Sequence, residues 1–197
     1  GRGCVPSVYP RVVPLGFAIY PQIPAKTLPE FGAWLKASPE KAKIATSGRG
    51  SAQEMAAEMF RMASGANTLL IPYKGSSAAH PDLLAGRTAL YIDTISAIQS
   101  QVKAGNVRAI AVSTLKRSAA LPDVPTADEQ GLKGYEANTN GGFLAPAGTP
   151  KGIIAKLNSE INAALRLPDV RAKLEAAGIE IQGGTPQDYA ALIKSDL

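Results

Sequence analysis

The chain has 197 residues, 45% of them hydrophobic, 19% charged and 6% aromatic. That is the balance of a globular protein long enough to bury a core, and not of a disordered tail or a coiled coil. Its 21 basic and 16 acidic side chains leave +5, which favours anionic partners without naming one. The lone cysteine, the lone histidine and the lack of a long apolar run exclude an internal disulfide, a thiolate or multi-histidine metal centre and a membrane-spanning helix.

The opening Gly1-Arg2-Gly3-Cys4 is followed by no apolar run of secretory type. The expectation is that a leader has been removed or that the chain is a fragment. Val12 to Tyr20 reads as a strand interrupted by Pro14 and Gly16. Thr27 and Glu30 have capping-box spacing and open a helix to about Ala37, with Phe31, Trp34 and Leu35 at helical intervals. A short strand covers Lys43 to Thr46. A helix from Ser51 to Ser64 carries apolar residues at 52, 55, 56, 59 and 63, the stripe of a helix lying on a sheet. That stripe assigns Met55 and Met59 to the core.

The strand–helix unit then recurs. Thr68 to Pro72 and Thr88 to Ile92 read as strands, each followed by a helix (Ser76 to Ala85, Thr94 to Ala104), and Val107 to Ser113 is a further strand. Repeated βα units predict a mostly parallel sheet with helices on its faces. Beyond Thr114 the texture changes. Thr126 and Glu129 repeat the capping-box spacing, 138–142 reads as a loop, and Phe143 to Ala145 is a short strand. Thr149-Pro150 reads as an N-cap with Pro at N1 of a helix to about Arg166. A helix from Pro168, a strand at Ile179 to Ile181 and a last helix from Thr185-Pro186 complete the chain. The expected organisation is a tail and first crossing segment over 1–17, a complete α/β lobe over 18–112, and over 113–197 a second crossing followed by part of another lobe.

The strongest chemical signal is Ala45-Thr46-Ser47-Gly48-Arg49-Gly50-Ser51, between a strand and an amphipathic helix. Gly48 and Gly50 permit a sharp turn and close backbone approach, the helix start offers unpaired amides, and Ser47 and Ser51 add hydroxyls. The stretch fits an anion site and equally a plain βα turn with a serine cap. It lacks the Gly-Lys-Ser/Thr ending of a phosphate loop and the third glycine of a dinucleotide fingerprint. Tyr73-Lys74-Gly75-Ser76 and Asp93-Thr94 end two neighbouring strands, where open α/β sheets bind ligands; Ser76 and Asp93 serve equally as N-caps. His80 has no second His or Cys for a metal, and no nucleophile elbow accompanies it, so it reads as a surface residue. Cys4 reads as incidental, in a loose N-terminal tail. Basic residues are dispersed without aromatic interleaving, so no nucleic-acid partner is expected.

Six segments in order resemble the Bug-type periplasmic solute receptors of tripartite tricarboxylate transporters. They are Pro24-Ala25-Lys26-Thr27-Leu28; 47–51 with Glu58-Met59-Phe60; Ile71-Pro72-Tyr73-Lys74-Gly75 with Asp82-Leu83 and Ala85-Gly86; Tyr91-Ile92-Asp93-Thr94; 108–113 with Arg117 and 122–126; and 142–150, GFLAPAGTP. The resemblance implies an α/β, type II periplasmic-binding-protein-like fold. It also implies a non-enzymatic role, with a small carboxylate (a di- or tricarboxylate, an aromatic acid or an amino acid) held without cofactor or metal and passed to membrane permease subunits. Carried over by position, the ligand side would comprise Ser47, Gly48, Arg49, Gly50, Ser51, Tyr73, Gly75, Ser76, Asp93 and Thr94. Two departures accompany it. The family's N-terminal half-lobe, with its Gly-rich loop, has no counterpart here, and Glu54-Met55 stands where the family usually has His-Leu. On the helical count Glu54 is expected to face solvent. Two other readings stay open: a hydrolase using Ser47 or Ser51, and a truncated, non-binding homologue that forms homo-oligomers through an uncovered apolar face.

Overall fold

The computed structural model describes residues 4–195; Gly1 to Gly3, the start of the expected tail, lie outside the described residues. The chain divides into two compact units, one of residues 14–139 and one of residues 1–13 with 140–197.

The first unit is a five-stranded sheet in the order β3-β2-β4-β1-β5. Its strands are β1 (Cys4–Ile19), β2 (Lys43–Thr46), β3 (Leu69–Pro72), β4 (Leu90–Thr94) and β5 (Arg108–Val112). β2 runs parallel to β3 and to β4, as the βα pattern requires. β1 pairs antiparallel with both β4 and β5, so the sheet is mixed about its middle. Four helices join these strands: α1 (Leu28–Ala37), α2 (Ala52–Ser64), α3 (Ser76–Leu84) and α4 (Ile95–Lys103).

The main core is built on the inward side chains Leu15, Phe17 and Ile19 of β1, with Phe31, Leu35, Ile44, Phe60 and Ile92 around them. Phe17 meets Phe60 edge-on at 5.5 Å, and Phe31 stacks on Trp34 at 5.9 Å. α2 buries Ala56, Ala57 and Phe60. The stripe drawn through Met55 and Met59 is therefore displaced by about one position: Met55 is 64% and Met59 38% exposed. The reason is steric. The two small alanines let the helix lie close, and Phe60 then supplies the bulk that fills the gap.

The boundary expected near residue 113 falls at 139/140 instead. The segment 113–139 is knitted into this unit, with Ala127 fully buried. Thr126 and Glu129 close a reciprocal capping box (2.9 and 3.0 Å), Gln130 Nε2 donates to the Ile110 carbonyl at 2.7 Å, and the Tyr135 hydroxyl donates to the Ala56 carbonyl at 2.6 Å. The Ser113 hydroxyl bonds the Ala137 carbonyl. Arg108 fixes the 20–26 loop from the opposite end of the sheet, donating to the carbonyls of Pro21, Ile23 and Ala25 at 2.9–3.0 Å.

The second unit holds the N-terminal part of β1, which pairs with β6 (Asn138–Pro146) and antiparallel with β7 (Glu180–Ile181), together with α5 (Lys151–Leu165), α6 (Pro168–Ala176) and α7 (Pro186–Ser195). Two expectations are corrected. The N-terminal tail is a strand from Cys4, with Cys4 a free, exposed thiol. The stretch 138–142 is also strand, although Asn and Gly predict a loop. At Gly142 the Tyr189 ring lies where a Cβ would go, so the glycine serves packing here and not a turn. Thr149 bonds back to Pro146 and leaves α5 without a side-chain cap. Asn158 and Asn162 both donate to the Gly184 carbonyl (2.9 and 3.0 Å), which ties α5 to the loop before α7.

Candidate functional site

Parallel pairing of β2 with β3 and β4 brings their carboxyl ends to one edge of the sheet, and α2, α3 and α4 all start there. The bend Ser47–Ser51 follows β2. Gly48 (φ +138°) and Gly50 (φ +72°) adopt backbone that other residues rarely take, and a Cβ at 48 would lie 3.2 Å from the Tyr73 carbonyl oxygen. Tyr73 N donates to Thr46 O (2.9 Å) and Gly75 N to Ser47 O (3.0 Å), so the β3–α3 turn is laced to the bend.

The amide ledger of the bend separates free donors from occupied ones. Among the described residues, the amides of Ser47, Gly48 and Arg49 have no protein acceptor. The Ser51 hydroxyl caps α2, accepting from Glu54 N at 3.1 Å, and gives its own proton to the Gly48 carbonyl at 2.7 Å. Glu54 does not point away into solvent as expected: its Oε2 accepts from Gly50 N at 2.7 Å. Ser51 and Glu54 have S/T-x-x-E spacing, but the returning bond goes to the amide before the cap, as that of Glu30 goes to Lys26 N at 2.7 Å. Ser51 gives its hydroxyl proton to a carbonyl, and among the described residues no basic side chain bonds it.

Asp93, at the end of β4, is fully buried. Its Oδ1 accepts from Thr94 N at 2.7 Å and from Gln53 Nε2 at 3.3 Å, which couples β4 to the first turn of α2. Oδ2 makes no full hydrogen bond, and His80 Nε2 stands 3.4 Å from it. Burial alone would raise this carboxyl. The neighbouring His80 and Ser76 side chains, the Thr94 amide and Gln53 outweigh it and hold the group below the ordinary carboxylate range. His80 is accordingly not a surface residue. It faces the carboxylate and packs edge-on against Tyr91 at 5.3 Å. Tyr91 is buried with its hydroxyl unpartnered, and burial raises its pKa. Sequence reasoning missed Gln53 and His80 because each meets its partner through tertiary packing.

The remaining candidates divide. Arg49 is exposed and Ser76 half-buried. Tyr73 spends its hydroxyl on Asp82 Oδ2 at 2.5 Å, and Arg87 holds the other oxygen at 2.6 Å. Burial, followed by that hydrogen bond, pushes the Tyr73 pKa up to about 12, so only its ring and backbone remain for a ligand. Among the described residues no group of three His, Cys, Asp or Glu is placed to hold a metal ion, and no helix is long and apolar enough to cross a membrane.

Residues 7–197 match the family model described as a tripartite tricarboxylate transporter family receptor. BugT of Bordetella pertussis is 35% identical over 185 residues, 94% of this chain and 57% of BugT. A solved structure of Rpa4515 from R. palustris with adipate superposes with a TM-score of 0.93 at 30% identity, covering 98% of this chain and 64% of that one. MatC from Rhodopseudomonas palustris with bound malate superposes at 0.88 with 28% identity, covering 98% and 66%. The chain spans about half the length of most of the curated relatives it matches, 48% of one and 57% of BugT.

Proposed function

Because the chain belongs to the tripartite tricarboxylate transporter receptor family, we propose that it is a periplasmic solute receptor that seats a small carboxylate on the Ser47–Ser51 bend and delivers it to the permease subunits of such a transporter. The carrying observation is the row of three successive amides, Ser47 to Arg49, without a protein acceptor at the start of α2. A carboxylate on such amides forms charge-assisted hydrogen bonds of about 1.5–3 kcal/mol each, and the helix end adds about 0.3–1 kcal/mol. A few of these contacts suffice for micromolar affinity, about −8 kcal/mol. Ligands of solved relatives, adipate in one and malate in another, support the chemical class. Recognition of this kind makes and breaks no bond, so no base or nucleophile is required of the site.

Calorimetric titration of the purified protein with adipate, malate and related mono- and dicarboxylates tests the reading. At least one ligand should bind in the micromolar range, and Gly48→Ala should weaken it at least tenfold by straining the bend toward the Tyr73 carbonyl. Silence across the series, or unchanged affinity in the variant, would remove the bend as the seat.

A further inference from the structure

The chain places a carboxylate of its own on the bend. Glu54 is half-buried in the first turn of α2, and its Oε2 takes the Gly50 amide at 2.7 Å. A second carboxylate, the buried Asp93, is anchored to the same turn by Gln53 Nε2, and its Oδ2 lacks a full hydrogen bond. A negative charge therefore sits on the amide next to the Ser47–Arg49 row, and a second, facing His80 Nε2 at 3.4 Å, is tied to the first turn of α2. The basic side chains of the neighbouring turns, Arg49 and Lys74, are exposed, where water screens them.

We infer that Glu54 is a specificity-determining residue, a charge filter that favours ligands with one carboxylate over dianions. The inference rests on the carboxylate seat proposed above. A single carboxylate gains the free amides and the helix end. On a short dianion the second charge has no amide left at Gly50, because Glu54 occupies it. That charge lies near Glu54, and the two like charges repel most strongly at low salt. Displacing Glu54 from the Gly50 amide would cost its own charge-assisted bond. A ligand whose far end is neutral meets no such penalty, and one whose far end bears an N–H group can donate to Glu54.

The experiment is calorimetry at low and high salt on the wild type and Glu54→Gln, with adipate, malate and the monoamide of each. Glutamine keeps an oxygen acceptor for the Gly50 amide, and thermal melting checks that the variant folds. At low salt the wild type should bind a monoamide about tenfold more tightly than its diacid, with the ratio shrinking as salt rises. Glu54→Gln should gain about tenfold on the diacid and little on the monoamide. A wild type that prefers the diacids overturns the filter, as does a ratio that Glu54→Gln leaves unchanged. Silence of both proteins toward all four probes overturns the seat itself, and the filter falls with it.

Discussion

The two units solve the burial problem differently. The unit of residues 14–139 packs Phe17, Phe31, Phe60 and Tyr91 to essentially zero exposure and ties its loops by long-range side-chain bonds. In the other unit, among the described residues, the buried hydrophobics are Val13, Ala145, Leu165, Ile179 and Tyr189, none below 5% exposure; both units leave large apolar side chains in water, Phe143 at 54% in this one and Met62 at 78% in the first. The free donors and the buried carboxylate both belong to the well-packed unit. A row of unpaired amides is costly to hold open, and a rigid sheet end can hold it in a way a loosely packed element cannot.

The largest expected effect compares one aromatic from each unit. Phe60→Ala should cost about 3–5 kcal/mol in urea unfolding, whereas Phe143→Ala should stay within about 1 kcal/mol because half of its ring is already in water. Similar losses at both positions would erase the contrast. Next in size, Gly142→Ala drives a Cβ into the Tyr189 ring and should cost about 1–3 kcal/mol. Hydrogen exchange should place the loss in β6 and α7 while β2 and β4 keep their protection; a uniform loss would mean that the units do not open separately.

The smallest effect is a pH dependence. The Asp93 carboxyl lies below its ordinary value in the folded state. Its contribution is therefore present above the unfolded carboxylate pKa, about 3.9, and is lost as pH falls through the lower folded value. Asp93→Asn should flatten that part of the acid melting curve and leave the shape above pH 5 unchanged. An acid limb identical to the wild type's would assign the loss to other carboxylates.

Much of the well-packed unit was legible in the residues. Thr126 and Glu129 announced their capping box, and Lys43 to Thr46 announced a short buried strand. The bend at 47–51 could be located because glycines and serines between a strand and an amphipathic helix restrict the backbone to a few shapes. What escaped depended on partners distant in sequence. Asn138 to Gly142 reads as a loop until Tyr189 is seen filling the space above Gly142. The α2 stripe shifted because helical period fixes a face only to within a residue. The mixed sheet was missed since β1 precedes the βα repeats and nothing local sets its direction. Within the site, Ser51 was legible as a cap, while the Glu54–Gly50, His80–Asp93 and Gln53–Asp93 contacts were not.

The Arg108 guanidinium has a consequence of its own. One planar cation supplies donors to three carbonyls, and the Ile23 carbonyl also receives the Ala25 amide at 2.8 Å. Lysine, a point charge with tetrahedral donors, does not reproduce its fork. The corner before α1 is thus held by the shape of one side chain as well as by its charge.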